Sequence, residues 1–228
     1  MTSDDARDAV IEVDRAAAAA GRERVDRLTK PVGSLGRIED VAVRLCGIAG
    51  RVVDTPYASP AILIGAGDHG VTVEGVSAYP AEVTPQMVGA FCAGIAAVNA
   101  FARAVRADVY VANFGVRADL PPHERLIDVR VGRGTNNFAK ADAMSEDDVE
   151  RALAAGIAAV DAVFSRGTYD VLALGDMGIG NTTSAAAIVM ACVGVSAKAV
   201  TGRGTGIDDE ALGHKRRIVS DAVGRIGG

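Results

Sequence analysis

Three glycine-rich stretches hold the residue types that bind and activate small molecules: GAGDHG at 65–70, GDMGIGNTT at 175–183 and TGRGTGIDDE at 201–210. Glycines placed after a strand let the backbone turn tightly and approach a ligand, and the first free N–H groups of a following helix point at whatever sits there. A phosphate is the expected guest. Around Gly178 and Gly180, Asn181, Thr182 and Thr183 add donors, whereas Asp176 would repel a phosphate set directly against it. Asp176 is therefore expected to face a neutral or cationic part of the ligand, such as ribose hydroxyls or a pyridinium ring. The pattern is neither the dinucleotide fingerprint nor the Walker loop, which leaves a capped tight turn open. The loop with Gly204 and Thr205 shifts the balance, because it again precedes a helix and carries Lys215 two turns along it.

Two further groups bear on chemistry. Asp68 and His69 are an acid and a base side by side, but neighbours point differently, so a turn capped by Asp68 competes with an acid/base pair. Tyr79, Pro80 and Met87 suit an apolar slot for a flat ring, with Ser77 and Gln86 as polar tips; ordinary loop packing explains them equally well. His69, His123 and His214 share no metal-ligand spacing with each other or with Cys46, Cys92 and Cys192, so no metal is expected. The cysteines read as free buried thiols.

Composition narrows the rest. A net charge of −5 with acids interleaved among Arg22, Arg24, Arg27 and Lys30 gives no nucleic-acid footprint, and that cluster reads as a solvated helix face. No uninterrupted apolar run approaches the ~20 residues of a membrane span, and no leader pattern opens the chain, so a cytoplasmic protein is expected.

The elements that must position these loops follow from periodicity and end signals. A helix is predicted over 4–27 and a second after Ser34, with Ile38, Val41, Leu45 and Ile48 on its inner face. A buried strand covers 61–65, and one long helix runs from Thr84, as N-cap before Pro85, to about Val105. The stretch ADVYVANFGV is a strand. A helix follows Ser145, with Val149, Leu153, Ile157, Val160 and Phe164 inward and Gly167 as its stop. Then come a strand ending at Leu174, an alanine-rich helix, a weak extended segment at 199–201, and a helix capped by Asp208. Strands alternating with helices indicate α/β architecture: a doubly wound, mainly parallel sheet, with all three loops on the rim where such folds bind ligands. The division expected is an N-terminal helical subdomain over 1–50 and the doubly wound domain over 51–228.

The stretches LTKPVGSLGRIED, GAGDHGV, GVSAYPAEVTPQMV, GTNNFAKADAMS, GDMGIGNTTSAAAI and GRGTGIDDE with its downstream lysine occur in this order along nearly the whole chain. Together they resemble the nicotinate-nucleotide:dimethylbenzimidazole phosphoribosyltransferase family. The resemblance implies a dimeric enzyme without cofactor or metal that moves phosphoribose from nicotinate mononucleotide to 5,6-dimethylbenzimidazole, giving α-ribazole 5′-phosphate and nicotinate. It assigns phosphate and ribose contacts to Gly178, Gly180, Asn181, Thr182, Thr183, Gly204, Thr205 and Lys215, and the benzimidazole pocket to Ser77, Tyr79, Gln86 and Met87. Where the family usually has glutamate this chain has Asp176, a possible auxiliary carboxylate. The family's catalytic glutamate is expected beyond Gly228, so the resemblance describes a member truncated there. A non-catalytic nucleotide-binding chain, or a subunit whose partner supplies the carboxylate, is the alternative.

Overall fold

A computed structural model describes residues 3–53 and 57–226. The chain divides into two compact units, Thr2–Ala58 and Ser59–Gly228, so the helical unit runs a little past the residue-50 boundary expected.

The first unit holds α1 (Ser3–Asp8), α2 (Arg15–Asp26) and α3 (Arg37–Ala49). The single helix expected over 4–27 is thus two, because the β-branched run around Val10 and Ile11 is a poor helix former and Asp14 starts a new helix by accepting the Ala17 N–H at 2.9 Å. Helices α2 and α3 pack through small residues: a Cβ on Gly21 would lie 2.9 Å from Cys46, and one on Gly47 would lie 3.2 Å from Ala18. This close approach corrects the expected inner face of α3. Cys46 and Gly47 are buried, while Ile38, Val41 and Ile48 are exposed. Lys30, read as part of a solvated face, instead holds the buried Glu39 carboxylate at 2.8 Å and keeps it ionised.

The second unit is built on β1 (Pro60–Gly67), α4 (Val83–Cys92), α5 (Ala97–Val105), β2 (Asp108–Gly115), β3 (Leu126–Asp128), α6 (Glu146–Phe164), β4 (Val171–Met177), α7 (Asn181–Val193), α8 (Ala197–Val200) and α9 (Asp209–Ile226). The four strands are parallel in the order β3-β2-β1-β4. Alternation along the strands makes two cores. Ile64, Ala66, Val109 and Val111 face Val88 and Phe91 of α4 and Ala102 of α5. Ala61, Leu63, Tyr110 and Ala112 face Ala159 and Val163 of α6. Helices thus cover both faces, and the doubly wound α/β class expected is the one observed. A third cluster, Ala186, Ala197 and Val219, joins α7, α8 and α9.

Several expected boundaries move. By length and hydropathy the stretch Val83–Val105 could cross a membrane, but it is two helices of 10 and 9 residues, each short of a span. The break is held open by Gly94 at φ 76° and by the Asn99 side chain, which caps Ala96 and bonds the Phe91 carbonyl. Thr84 is not the N-cap of α4; Glu82 is. Of the segment at 199–201, Ala199 and Val200 end short helix α8, and only its C-cap Thr201 is extended. Helix α6 follows Ser145 as expected, with Ser145 as N-cap in a capping box with Asp148, but its buried residues are Ala159 and Val163, with Val149, Leu153 and Phe164 exposed, and it ends at Phe164 before Gly167.

Candidate functional site

The chain leaves β1 for β2 and β3 on one side and returns to pair β4 on the other, so the C-terminal ends of β1 and β4 form the switch point of the sheet. Ligands in open α/β sheets bind there. Strand β4 runs past the expected end at Leu174 to Met177, which puts Gly175 and Asp176 on the strand opposite Ile64 and Gly65 and confines the turn to Gly178–Gly180. Gly178 admits no side chain, since a Cβ there would lie 2.2 Å from the Gly67 carbonyl and 2.9 Å from the His69 ring. Gly180, at φ 89°, starts α7. Thr84 reaches across from α4 and accepts the Ile179 N–H at 3.1 Å, which pins the turn to the sheet's other layer.

Against this turn lies a cavity of about 360 Å³ lined by Val76, Ser77, Val83, Met87, Met177, Gly178, Ile179, Gly180, Asn181, Thr182, Gly204, Thr205 and Lys215. Of the anion-binding residues expected, Gly178, Gly180, Asn181, Thr182, Gly204, Thr205 and Lys215 are brought together here. Lys215 is the largest fully buried side chain, 1% exposed, and its ammonium donates to Thr182 Oγ1 at 2.7 Å. Among the described residues no carboxylate pairs with it. Burial alone pulls its pKa below the ordinary lysine value, as expected when an ammonium loses water without gaining a counter-ion. Gly204 at φ 56° makes room for it; a Cβ would meet Thr182 Oγ1 at 2.9 Å and the Lys215 ammonium at 3.1 Å.

Three expected donors behave differently. Asn181 is locked, its Nδ2 donating to Asp176 Oδ2 while its Oδ1 accepts the Thr182 N–H at 2.8 Å. Thr183 is fully buried and lines no part of the cavity; on the next helical position after Thr182 its side chain turns into the protein. The N–H groups of Asn181 and Thr183 already bond the carbonyls of Gly178 and Gly180. The positive character of the cavity therefore comes from Lys215 more than from the helix end.

The ring slot is met in part. Ser77 and Met87 line the cavity, with Val76, Val83, Met177 and Ile179 as apolar wall; Tyr79 and Gln86 do not line it and are exposed. Met177 and Ile179 interleave with the glycines of GDMGIG, and that alternation was the available signal for them. Ser77 and Thr205 are hydrogen-bonded at 3.1 Å, and Ala78 N–H donates to Thr205 at 2.9 Å.

Asp176 lies elsewhere. It lines a second cavity of about 360 Å³ with Asp68, His69, Thr135, Asn136 and Asp148. Asp68 Oδ2 accepts the N–H of the distant Arg117 at 2.8 Å, a long-range bond and not the capping of its own neighbours that the sequence suggested. His69 shares a 3.0 Å hydrogen bond with Ser184 through Nδ1. Burial holds its pKa below the usual histidine value against the opposing pull of Asp176 and Asp68. Among the described residues no cluster of His, Cys, Asp and Glu could hold a metal ion.

A family model described as phosphoribosyltransferase matches residues 10–227. The chain is 48% identical over 214 residues to a nicotinate-nucleotide–dimethylbenzimidazole phosphoribosyltransferase of Chloroflexus aurantiacus, covering 93% of this chain and 60% of that one. It is 47% identical over 218 residues to the protein of the same description from Deinococcus radiodurans, covering 93% and 59%. Among solved structures, CobT from Thermus thermophilus superposes with a TM-score of 0.87 at 47% identity, over 92% of this chain and 62% of that one. The chain thus spans about 60% of the length of the relatives it matches, and it belongs to this phosphoribosyltransferase family.

Proposed function

We propose that this chain binds nicotinate mononucleotide and 5,6-dimethylbenzimidazole and serves the transfer of phosphoribose from the first to the second, releasing nicotinate and α-ribazole 5′-phosphate. The observation that carries the reading is Lys215: a buried ammonium without a carboxylate, facing Thr182 and Gly204 in a cavity that also has an apolar wall. Such a group calls for an anion. The apolar wall of Val76, Val83, Met87, Met177 and Ile179 suits a flat ring beside it.

In the transfer, a ring nitrogen of the benzimidazole attacks the anomeric carbon with inversion through a transition state of oxocarbenium character. Nicotinate leaves from a pyridinium and needs no proton. The benzimidazole must lose one, so a carboxylate base is required. Among the described residues no acidic side chain lines the cavity beside Lys215, and Asp176 belongs to the other one. This supports a base carried in the share of the relatives' length that this chain does not span. The same observation favours a second reading, in which this chain binds nucleotide and a partner supplies the carboxylate. The family resemblance supports a homodimer, and the charge and apolar patterning of the sequence support a cytoplasmic location engaging neither nucleic acid nor membrane.

Thermal unfolding tests the reading. Nicotinate mononucleotide should raise the midpoint, while nicotinate riboside, identical but for the phosphate, should raise it far less. Equal shifts would remove the phosphate from the cavity.

A further inference from the structure

Resting on that reading, we propose that Thr205 is a positioning residue that couples the phosphate half of the site to the ring half by setting the hydrogen-bond polarity of Ser77. Two loops from distant parts of the chain meet here. The Thr205 oxygen accepts the Ala78 N–H at 2.9 Å and shares a 3.1 Å hydrogen bond with Ser77 Oγ. Ser77 Oγ in turn accepts the Tyr79 N–H at 3.2 Å. Thr205 follows Gly204, the residue against the Lys215 ammonium, and all of Ser77, Gly204, Thr205 and Lys215 line one cavity.

A hydroxyl has one hydrogen and two lone pairs, so this chain of bonds runs in one of two directions. If Thr205 donates to Ser77, both Ser77 lone pairs are used, by Tyr79 N–H and by Thr205, and Ser77 offers the cavity a donor. If Ser77 donates to Thr205, one Ser77 lone pair is freed and Ser77 offers an acceptor. A phosphate ester beside Lys215 presents acceptors only. It takes the Thr205 hydrogen, and the Thr205 oxygen, already holding Ala78 N–H, then accepts from Ser77. Phosphate therefore selects the state in which Ser77 accepts, and that state holds the N–H of a neutral azole ring, before the base removes that proton, and leaves its other, lone-pair nitrogen unengaged for attack. By linkage the azole favours phosphate binding in equal measure.

The test uses ribose 5-phosphate, which carries the sugar and phosphate but no leaving base, so no turnover intrudes. Dimethylbenzimidazole is titrated into the full chain with saturating ribose 5-phosphate or with ribose at the same concentration. The phosphate ester should tighten dimethylbenzimidazole by about fivefold or more, the lower range of ordinary coupling between sites. The gain should vanish for 1,5,6-trimethylbenzimidazole, which lacks the N–H, and in Thr205→Val, and return in Thr205→Ser. If both ligands bind but the gain is absent, persists with the trimethyl compound, or survives Thr205→Val, the coupling is overturned and the phosphate reading stands. If ribose 5-phosphate or dimethylbenzimidazole does not bind, the functional reading falls and the coupling falls with it. The trimethyl comparison uses unmutated protein, so the outcome does not hinge on the fold of a variant.

Discussion

Two cavities of equal size, each about 360 Å³, flank the turn after β4, and they differ in charge. Among the described residues one holds Lys215 and no acid, and the other holds Asp68, Asp148, Asp176 and His69. Consecutive residues of one strand serve both, because side chains alternate across a sheet: Asp176 lines the acidic cavity and Met177 the basic one. Size does not distinguish a phosphate site here, and charge does. The separation also explains how a carboxylate can stand two residues before an anion-binding turn without repelling the anion. Asp176 lines the other cavity, and its Oδ2 accepts a hydrogen bond from Nδ2 of Asn181, the residue between it and the Lys215 side.

The largest effect expected from this division is on catalysis. With no base among the residues lining the Lys215 cavity, a chain carrying the remaining length of the family should form α-ribazole phosphate about 10²- to 10⁴-fold faster than the 228-residue chain, the usual worth of a positioned base. Single-turnover rates decide it. Equal rates would bring the base back within residues 1–228, and loss of that full rate in Asp176→Asn would make Asp176 the base and break the separation between the two cavities.

Next in size is nucleotide binding. Lys215→Met should weaken nicotinate mononucleotide by about 1.5–3 kcal/mol if the ammonium gives the phosphate a charged hydrogen bond. Asp176→Asn, on the other side of β4, should move the same affinity by no more than about 0.5 kcal/mol, as for an exposed residue away from the ligand. Calorimetric titration of both variants sets one against the other. Equal losses would mean that the cavities act as one site.

Much of this arrangement was legible in the chain. The helix start after Ser145 and the apolar strands β1 and β2 are local signals and each is where the pattern put it, whereas the first two glycine loops are shorter than expected because β1 runs to Gly67 and β4 to Met177. The six residues gathered around Lys215 follow from two loops sharing one rim of a parallel sheet. What escaped reading depends on partners far along the chain. Thr84 looks like a helix cap until Ile179 is placed above it. The helix over 83–105 reads as continuous until Asn99 turns back to Phe91. The inner faces of α3 and α6 were assigned to large apolar residues, whereas their close contacts use Gly47, Cys46 and Ala159, since small residues let elements approach. Tyr79 and Gln86 carry suitable chemistry, but only the fold shows that Met177 and Ile179 form the wall instead.

The smallest effect concerns His69 and tests whether the acidic cavity is governed by burial or by charge. Burial lowers its pKa, while Asp176 and Asp68 act to raise it. If burial dominates, the unfolded chain binds a proton more readily than the native one between the lowered folded value and the ordinary 6.5. Stability then rises with pH across that window and is level above it. Urea unfolding of the wild type and of His69→Gln, which keeps a side chain able to bond Ser184, should therefore show the wild type gaining on the variant as pH climbs toward 6.5. The reverse slope, with the wild type losing ground as pH rises, would mean that Asp68 and Asp176 hold His69 as a cation. The second cavity would then contain its own positive charge, and the contrast in sign between the two sides of β4 would be weaker than the carboxylates alone suggest.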